Sequence, residues 1–225
     1  MRSTDALRVS AAGEALWLLP PGVVWWEASR TLLAADLHVG MSETLQAAGM
    51  GVPTGRHEQD LEDLATLAQG RRASRLIVLG DFFHASSGIT DDVFQMVARW
   101  RSALDVPVWL ALGNHDAPLR KRGGELPFDR VEDGFLEGPF LFTHLPGEAP
   151  GAAPSEAPFR VCGHLHPVVR LEGGRDRLRL RCFVADADQL ILPSFGRMTG
   201  GAPVDAKRGR RRYPVTADEV LDLGI

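Results

Sequence analysis

The chain has 225 residues and a formal charge of −4, so its length fits one large domain and its charge gives no overall attraction to nucleic acid or to an anionic membrane. Although 44% of the residues are apolar, no apolar run approaches the roughly 18–20 residues of a membrane span. Asp5 and Arg8 interrupt any signal-peptide core, and two cysteines are too few for a disulfide framework. We therefore predict one domain over residues 1–225, in the cytoplasm, with reduced thiols.

The first half of the chain alternates predicted strands and helices. Residues 15–19 and 23–27 predict a hairpin around Pro20-Pro21-Gly22, and the adjacent Trp25 and Trp26 are expected to be one buried and one exposed. Apolar strands are predicted at residues 31–35, 75–79 and 107–112, with helices at residues 41–50, at residues 58–69 and after the N-cap residue Thr90. This alternation predicts parallel strands joined by helical crossovers.

The second half of the chain has short predicted strands and little helix. The strands are residues 139–142, 159–162, 168–172, 178–184 and 189–192. Residues 147–158 form an Ala/Pro/Gly-rich loop. We interpret the basic run at residues 207–212 as a flexible surface segment. Cys162 lies in a predicted strand, and we expect it to be buried.

Six of the seven histidines lie in five short polar clusters. The clusters are Asp36-Leu37-His38, Gly80-Asp81-Phe82-Phe83-His84, Gly113-Asn114-His115-Asp116, Thr143-His144 and Gly163-His164-Leu165-His166. Three of them follow predicted core strands, and ligands bind beyond the carboxyl ends of such strands. Only His57 lies outside the clusters. It precedes an acidic amphipathic helix, and we expect it to be solvated.

The side chains of these clusters suit a metal centre. Carboxylate, imidazole and amide groups favour borderline divalent ions such as Mn, Fe or Zn, and the absence of cysteine argues against a structural zinc site. In an extended segment, Asp36 and His38 would point to one side, as would His164 and His166. Asp81 is placed to bridge two ions, which together can orient a hydroxide and stabilise both oxygens at phosphorus. An imidazole beside them can protonate a leaving alkoxide near neutral pH.

In this order, the clusters resemble the motif set of the calcineurin-like metallophosphoesterase superfamily: Asp-x-His, Gly-Asp-x-x-His, Gly-Asn-His-Asp, a later His, and Gly-His-x-His. The resemblance extends from Asp36 to His166. It implies an α/β fold, a four-layer α-β-β-α sandwich of two mixed sheets with helices on the outer faces. It also implies a metal-dependent phosphoesterase that uses two divalent ions, with Mn favoured and Fe, Zn or Ni as alternatives.

The resemblance assigns a role to each cluster residue. One metal would be held by Asp36, His38, Asp81 and His166, and the other by Asp81, Asn114, His144 and His164. His115 would contact the phosphate and donate a proton, so it is the first candidate catalytic residue. His84 and Asp116 are the other two, and both would act by orienting a metal ligand or His115.

Residues 35–40, 47–55 and 192–204 resemble a narrower branch, the ligase-associated DNA damage response endonucleases (PdeM). This similarity implies a phosphodiesterase or endonuclease that cleaves DNA with a metal-bound hydroxide, with a DNA ligase and a helicase as partners in repair. The basic runs Arg120-Lys121-Arg122 and residues 207–212 are candidates for contact with a phosphate backbone. The oligomeric state is left open, with a dimer as one alternative.

Two other functions remain as alternatives. The same chemistry applies to a small substrate such as a phosphomonoester, a cyclic nucleotide or a nucleotide sugar, and the net negative charge of the chain favours such a substrate slightly. Comparing rates on monoesters and diesters distinguishes the two. A non-catalytic scaffold of the same fold is the third hypothesis. The complete set of metal-binding side chains argues against it, and metal analysis tests it.

Overall fold

The computed structural model describes residues 6–53, 55–116, 119, 126–147, 157–173 and 176–224. Residues 120–122, the first basic run, and most of the loop at residues 147–158 lie outside the described residues. The expectations about these two segments therefore stay predictions.

The first sheet has seven strands, which lie side by side in chain order. They are β1 (Leu7–Ala11), β2 (Glu14–Leu19), β3 (Val23–Trp26), β4 (Thr31–Ala34), β5 (Arg75–Leu79), β6 (Val108–Ala111) and β7 (Arg130–Glu132). The pairs from β1 to β4 are antiparallel, and those from β4 to β7 are parallel. The predicted hairpin and the predicted parallel crossovers are therefore confirmed, while β1 and β7 were not predicted.

Three α-helices lie among the described residues, α1 (Met41–Ala47), α2 (Arg56–Gly70) and α3 (Asp91–Ser102), together with a 3₁₀ helix at Ser86–Gly88. Thr90 accepts a hydrogen bond from the N–H of Val93 at 3.3 Å, which confirms it as the N-cap of α3. Leu64 of α2 and Val97 of α3 are fully buried in one core cluster with the first sheet. Both helices therefore cover the same sheet.

Alternation along each central strand divides the core into two layers. In β5, Leu76 and Val78 pack with the residues of α2 and α3, whereas Ile77 and Leu79 pack in a cluster shared with the second sheet. Successive side chains of a strand point to opposite faces, so both faces of the first sheet are covered. This arrangement explains the continuous apolar runs of its parallel strands.

The second sheet has eight strands in the order β14-β11-β12-β13-β10-β9-β8, with β15 paired to β12. They are β8 (Gly134–Glu137), β9 (Phe140–Thr143), β10 (Phe159–Cys162), β11 (Pro167–Gly173), β12 (Asp176–Ala185), β13 (Gln189–Ile191), β14 (Ala202–Pro203) and β15 (Arg211–Pro214). The β9–β10, β10–β13 and β11–β14 pairs are parallel, and the others are antiparallel. Both sheets are therefore mixed.

The two sheets pack face to face through aromatic side chains. Phe140 and Phe142 are fully buried there, and the rings of Trp26 and Phe140 meet edge-on, with centroids 5.0 Å apart. The predicted α/β sandwich of two mixed sheets is confirmed. In the described chain, the outer face of the second sheet carries a small apolar cluster that includes Cys162 and Cys182. Burial raises the pKa of both thiols to about 12, and both cysteines are free, as expected.

Two local predictions are wrong. Trp25 and Trp26 are both buried, because β3 has a covered layer on each face. The basic run at residues 207–212 is not a flexible surface segment at its C-terminal end. Arg211 and Arg212 begin β15, and Arg210 donates hydrogen bonds of 2.8 and 2.7 Å to Asp186. Among the described residues, no helix is both long and apolar enough to span a bilayer.

Candidate metal centre

The five histidine-containing clusters all follow strands of the two sheets. Asp36 and His38 follow β4, the Gly80–His84 cluster follows β5, and the Asn114–His115 pair follows β6. His144 follows β9, and His164 and His166 follow β10. Because β4, β5 and β6 are mutually parallel, as are β9 and β10, their carboxyl ends meet at one edge of the sandwich.

The backbone at this edge is left-handed rather than extended. The φ angles are +55° at Asp36, +51° at His38, +48° at Asp81, +75° at His164 and +44° at His166. The expectation that an extended i, i+2 spacing would align these pairs is therefore wrong. Backbone hydrogen bonds hold the turns, since the N–H of His38 donates to the carbonyl of Asp81 at 2.9 Å. Such conformations are costly for residues with a Cβ, and they concentrate at functional sites.

Glycines before the ligand residues allow this close approach. At Gly80, where φ is +80°, a Cβ would overlap the His144 ring. A Cβ at Gly113 would overlap the Asp81 carboxylate, and one at Gly163 would come within 2.6 Å of an Asp36 oxygen. The glycine in three of the motifs is therefore required by packing against the side chain of a candidate metal ligand.

The first cluster consists of Asp36, His38, Asp81 and His166, whose ligand atoms all lie within 4.8 Å of one another. The Nε2 atoms of His38 and His166 are 3.1 Å apart. His166 Nε2 lies 3.4 Å from Asp36 Oδ1, and His38 Nε2 lies 3.8 Å from Asp81 Oδ2. The structure thus brings together all four residues predicted for one metal.

The second cluster consists of Asp81, His144 and His164, with Asn114 beside it. His144 Nε2 lies 3.0 Å from His164 Nδ1, 3.3 Å from Asp81 Oδ2 and 3.0 Å from Asn114 Oδ1. The other nitrogen of His144 faces the carbonyl of Leu79 at 3.0 Å. A carbonyl only accepts, so Nδ1 carries the proton and Nε2 presents a lone pair to the cluster.

The donor atoms fit divalent cations in kind and in spacing. Two nitrogens about 2.0–2.1 Å from one ion, at roughly 90–110°, lie about 2.8–3.4 Å apart. The two imidazole pairs, at 3.1 and 3.0 Å, meet this condition. Imidazole, carboxylate and amide donors without a thiolate suit Mn, Fe or Zn.

Burial and close contacts shift the pKa values of three candidate ligands in different directions. Burial lowers the pKa of His38 to about 3, although the charge of Asp81 opposes the shift, so its imidazole is neutral at physiological pH. Burial would raise the pKa of Asp81, but its contacts with His144 outweigh this and lower it. Burial would likewise lower the pKa of His144, and the contact with Asp81 reverses that shift.

His84 and His115 form a third group with His38 at the edge of the first cluster. The rings of His84 and His115 are stacked, with centroids 5.3 Å apart, and His84 Nδ1 lies 3.2 Å from His38 Nδ1. His115 Nδ1 is hydrogen-bonded to the carbonyl of His84. The carbonyl must accept, so Nδ1 donates, and Nε2 is the nitrogen left for other partners. Burial and the charge of His115 lower the pKa of His84.

Asp116 is completely buried and its carboxylate contacts backbone. It accepts hydrogen bonds from the N–H groups of Phe82 at 3.2 Å, Phe83 at 2.9 Å and Gly113 at 3.0 Å. Burial raises its pKa to about 6 even though these bonds favour the anion. Asp116 therefore links the turn after β5 to the turn after β6, and these contacts hold the two turns in a fixed relative position.

A family model described as calcineurin-like phosphoesterase matches residues 29–188, a range that contains every residue of the clusters. The chain belongs to the calcineurin-like phosphoesterase family. The resemblance inferred from the motifs is confirmed, and the protein is a metal-dependent phosphoesterase, a hydrolase of phosphate esters.

Among solved structures, this phosphoesterase is similar to the Pseudomonas putida nuclease MPE. The two share 32% identity and a TM-score of 0.77, and the match covers 96% of this chain and 98% of that one. A protein of unknown function from Aquifex aeolicus, AQ665, matches with 18% identity and a TM-score of 0.41 over 65% of this chain and 81% of the other. A comparison with curated protein sequences found no match.

Sequence reasoning missed a segment of the phosphoesterase that supports the first cluster. Residues 194–202, which we call the brace segment, donate hydrogen bonds to the backbone at or beside two ligands. The N–H of Phe195 donates to Ala35 at 2.8 Å, that of Gly196 to Asp36 at 3.2 Å, and that of Ala202 to His166 at 3.1 Å. Similarity to the endonuclease branch had drawn attention to residues 192–204, but their role depends on backbone contacts that a sequence does not reveal.

His57 lies outside the metal centre, as expected, but the expectation that it is solvated is wrong. It is 3% exposed, and its Nε2 accepts a hydrogen bond from the N–H of Ser42 at 3.2 Å. Asp60 on the same helix is 2% exposed. The periodicity of α2 could have predicted the burial of His57, because this residue lies one turn before Leu61 on the apolar stripe of the helix.

Proposed function

We propose that this phosphoesterase is a phosphodiesterase that uses two metal ions and cleaves nucleic acid. One observation carries the proposal. The carboxylate of Asp81 belongs to both ligand clusters, so two ions bound there would be neighbours able to act on one phosphate. Similarity over nearly the whole chain to the Pseudomonas putida nuclease supports nucleic acid as the substrate.

In this proposal, one ion is held by Asp36, His38, Asp81 and His166, and the other by Asp81, Asn114, His144 and His164. Mn is the favoured ion. When bound, the two ions supply Lewis-acid activation of water and neutralise the charge that develops at phosphorus.

The residues of the chain supply position and a proton. The backbone N–H of His115 donates to Asp81 Oδ1 at 2.8 Å, which sets the distance between the imidazole and the shared carboxylate. Because its Nδ1 is used by the carbonyl of His84, His115 would donate a proton from Nε2 to the leaving oxygen. His84 would keep that ring in place by stacking, and Asp116 would fix the two turns that carry Asp81 and His115.

A role in DNA repair, with a DNA ligase and a helicase as partners, is part of the same proposal. It is supported by the similarity of residues 35–40, 47–55 and 192–204 to the ligase-associated endonucleases. A small nucleotide-type substrate is the alternative.

The test compares the Mn-loaded protein on a bis-aryl phosphate, an aryl phosphomonoester and single-stranded DNA. We expect cleavage of the diester and of DNA, and Asp81→Asn should abolish both because it weakens both ion sites at once. Asp105→Asn, at an exposed carboxylate in the turn after α3, is the matched control and should retain full rates.

Two outcomes would change the conclusion. DNA that stays intact after long incubation with protein active on the diester would remove nucleic acid as the substrate. A preference for the monoester would favour the small-substrate alternative.

A further inference from the structure

A second site for an anion is indicated by a cavity of about 610 Å³ that is lined by residues outside the metal clusters. Three arginines reach it, Arg179, Arg181 and Arg197, together with a single carboxylate, that of Asp63. Apolar side chains, including Leu67 and Val215, complete the wall. The volume is in the range of pockets that hold small molecules.

The charges around this cavity are not balanced. Arg197 is paired with Asp60 at 2.7 Å and also with Asp63. By contrast, Arg179 Nη2 donates to the carbonyl of Gly201, and Arg181 Nη1 donates to the carbonyls of Ser194 at 2.7 Å and Phe195 at 3.2 Å. Within the described part of the chain, neither guanidinium has a carboxylate within ion-pair distance.

A second large cavity has balanced charges. There, Arg8 and Arg211 face Asp186 and Asp222, so the charges compensate one another. In the cavity beside Arg181, three guanidinium groups face the carboxylates of Asp60 and Asp63, so an excess of positive charge remains. Removing a cation from water is costly, and burial lowers the pKa of Arg181 although the charge of Asp60 opposes the shift.

The geometry leaves donors available for a ligand. The carbonyl contacts use one terminal nitrogen of each guanidinium, Nη2 of Arg179 and Nη1 of Arg181. The remaining nitrogens form a fork that matches phosphate oxygens. The excess of positive charge and the free guanidinium nitrogens both favour an anionic phosphoryl group.

We propose that this cavity binds a phosphoryl group between Arg179 and Arg181, at a site separate from the metal centre. The phosphoryl group belongs either to a small phosphate compound or to the terminal phosphate of a nucleic-acid strand. The contacts of both arginines also reach the brace segment, at Ser194, Phe195 and Gly201. A bound anion is therefore connected to the backbone of Asp36 and His166 through hydrogen bonds of that segment.

The experiment measures binding of inorganic phosphate to the full chain by equilibrium dialysis, with and without a chelator. Phosphate held at the metal centre is lost with the metal, whereas phosphate held by arginines persists in the chelator. We expect Arg179→Gln and Arg181→Gln to weaken the chelator-resistant binding at least tenfold. Arg181→Lys keeps the charge but loses the fork, and should give an intermediate loss.

Arg177→Gln is the matched control. Arg177 lies on the same strand, β12, is exposed and pairs with Glu172 at 3.5 Å, so this variant should bind phosphate as the unaltered protein does. Arg181→Gln also removes contacts to the brace segment. Arg179→Gln, at an exposed side chain, therefore serves as the second variant that keeps the test valid if the first fails to fold.

Further arms identify the source of the phosphoryl group. A mononucleotide and two short oligonucleotides, one 5′-phosphorylated and one with a 5′-hydroxyl, replace inorganic phosphate. Arginine-dependent binding of the mononucleotide alone assigns a small compound, and a preference for the phosphorylated oligonucleotide assigns a strand terminus. Equal binding in all variants, or none in chelator, overturns the proposal. The result does not depend on hydrolysis, so it is separable from the proposed function.

Discussion

Left-handed backbone occurs at five candidate metal ligands, Asp36, His38, Asp81, His164 and His166. Each such conformation costs a residue with a Cβ about 1–2 kcal/mol. It persists because backbone hydrogen bonds to neighbouring turns, and the close packing that the glycines allow, stabilise this conformation. The candidate ligand atoms of each cluster are thereby held within 4.8 Å of one another.

Gly80 should be required for two reasons, its positive φ and its close packing against His144, and the packing should account for the larger part of the cost. Gly80→Ala adds both strain and an overlap with the His144 ring. We expect it to lower the free energy of unfolding by about 2–4 kcal/mol and to reduce metal content. Gly49 has almost the same φ, +81°, but open space around its Cβ position. Gly49→Ala should therefore cost only about 1 kcal/mol and leave metal content unchanged.

Urea denaturation and metal analysis of the two alanine variants measure this difference. Equal costs and equal metal contents would show that the approach of Gly80 to His144 has no energetic role.

His115 should matter most when the leaving group needs a proton. His115→Asn removes the proposed donor, so the rate should fall about 10²–10⁴-fold for diesters with a poor leaving group and much less for nitrophenyl esters. The measurement is kcat/KM across a series of leaving groups. A parallel fall for every substrate would mean that His115 binds the phosphate without donating a proton.

The grouping of residues at the site could be predicted from sequence, but the backbone that produces it could not. Histidines occur beside Asp36, Asp81, Asn114 and Gly163, each after a separate strand. Such a repeated pattern is expected when the ends of several strands build one site. The left-handed φ of Asp36 and His38 results from contacts with the turn after β5, which are tertiary. His57 was misjudged because one acidic helix face was taken to represent the whole helix.

At the scale of elements, the brace segment is fixed to α2 by an ion pair. Asp60, 3% exposed at its side chain, accepts hydrogen bonds from the N–H of Arg197 at 3.1 Å and from its guanidinium at 2.7 Å. Asp63 contacts the same guanidinium from a more exposed position, at 32%. The buried carboxylate of Asp60 therefore accepts hydrogen bonds from both the backbone and the side chain of Arg197, in the segment that supports Asp36.

Asp60→Asn should therefore destabilise the protein far more than Asp63→Asn. Asparagine keeps one acceptor oxygen, so one of the two Arg197 donors loses its buried partner, at a cost of about 1–3 kcal/mol, whereas the exposed pair with Asp63 contributes at most about 1 kcal/mol. Chemical denaturation gives both values. Equal costs for the two variants would show that the segment is held by its other contacts.

Strands with strong apolar patterns could be predicted closely, and those created by pairing could not. The prediction of β5 has the observed bounds, since Leu76 to Leu79 are buried on both faces. In contrast, β7 and β14 are short and exposed at most positions. Each forms a strand because the adjacent strand offers backbone N–H and C=O groups for pairing. This tertiary context outweighs the intrinsic β-propensity of their residues.

For the whole molecule, metal binding should stabilise the packing of the two sheets against each other, because the candidate ligands come from both sheets. Ions that bind only the folded state at 100 times their Kd add about 2.7 kcal/mol, so chelation should lower the melting temperature by roughly 5–10 °C for a chain of this size. Thermal unfolding with and without chelator measures this effect.

Asp81→Asn should respond much less to the chelator, while Asp105→Asn should respond as the unaltered protein does. An unchanged melting temperature after complete metal removal would show that the clusters contribute nothing to holding the sheets together.

Strand order in the first sheet has a consequence for biosynthesis. Neighbouring strands there are also consecutive in the chain, so their contacts have modest sequence separation and can form early as a nascent polypeptide lengthens. The contact between Asp36 and the N–H of His164, however, joins residues 128 positions apart. Synthesis would thus produce the strands of the first sheet before His144, His164 and His166, the residues that complete the two candidate ligand clusters.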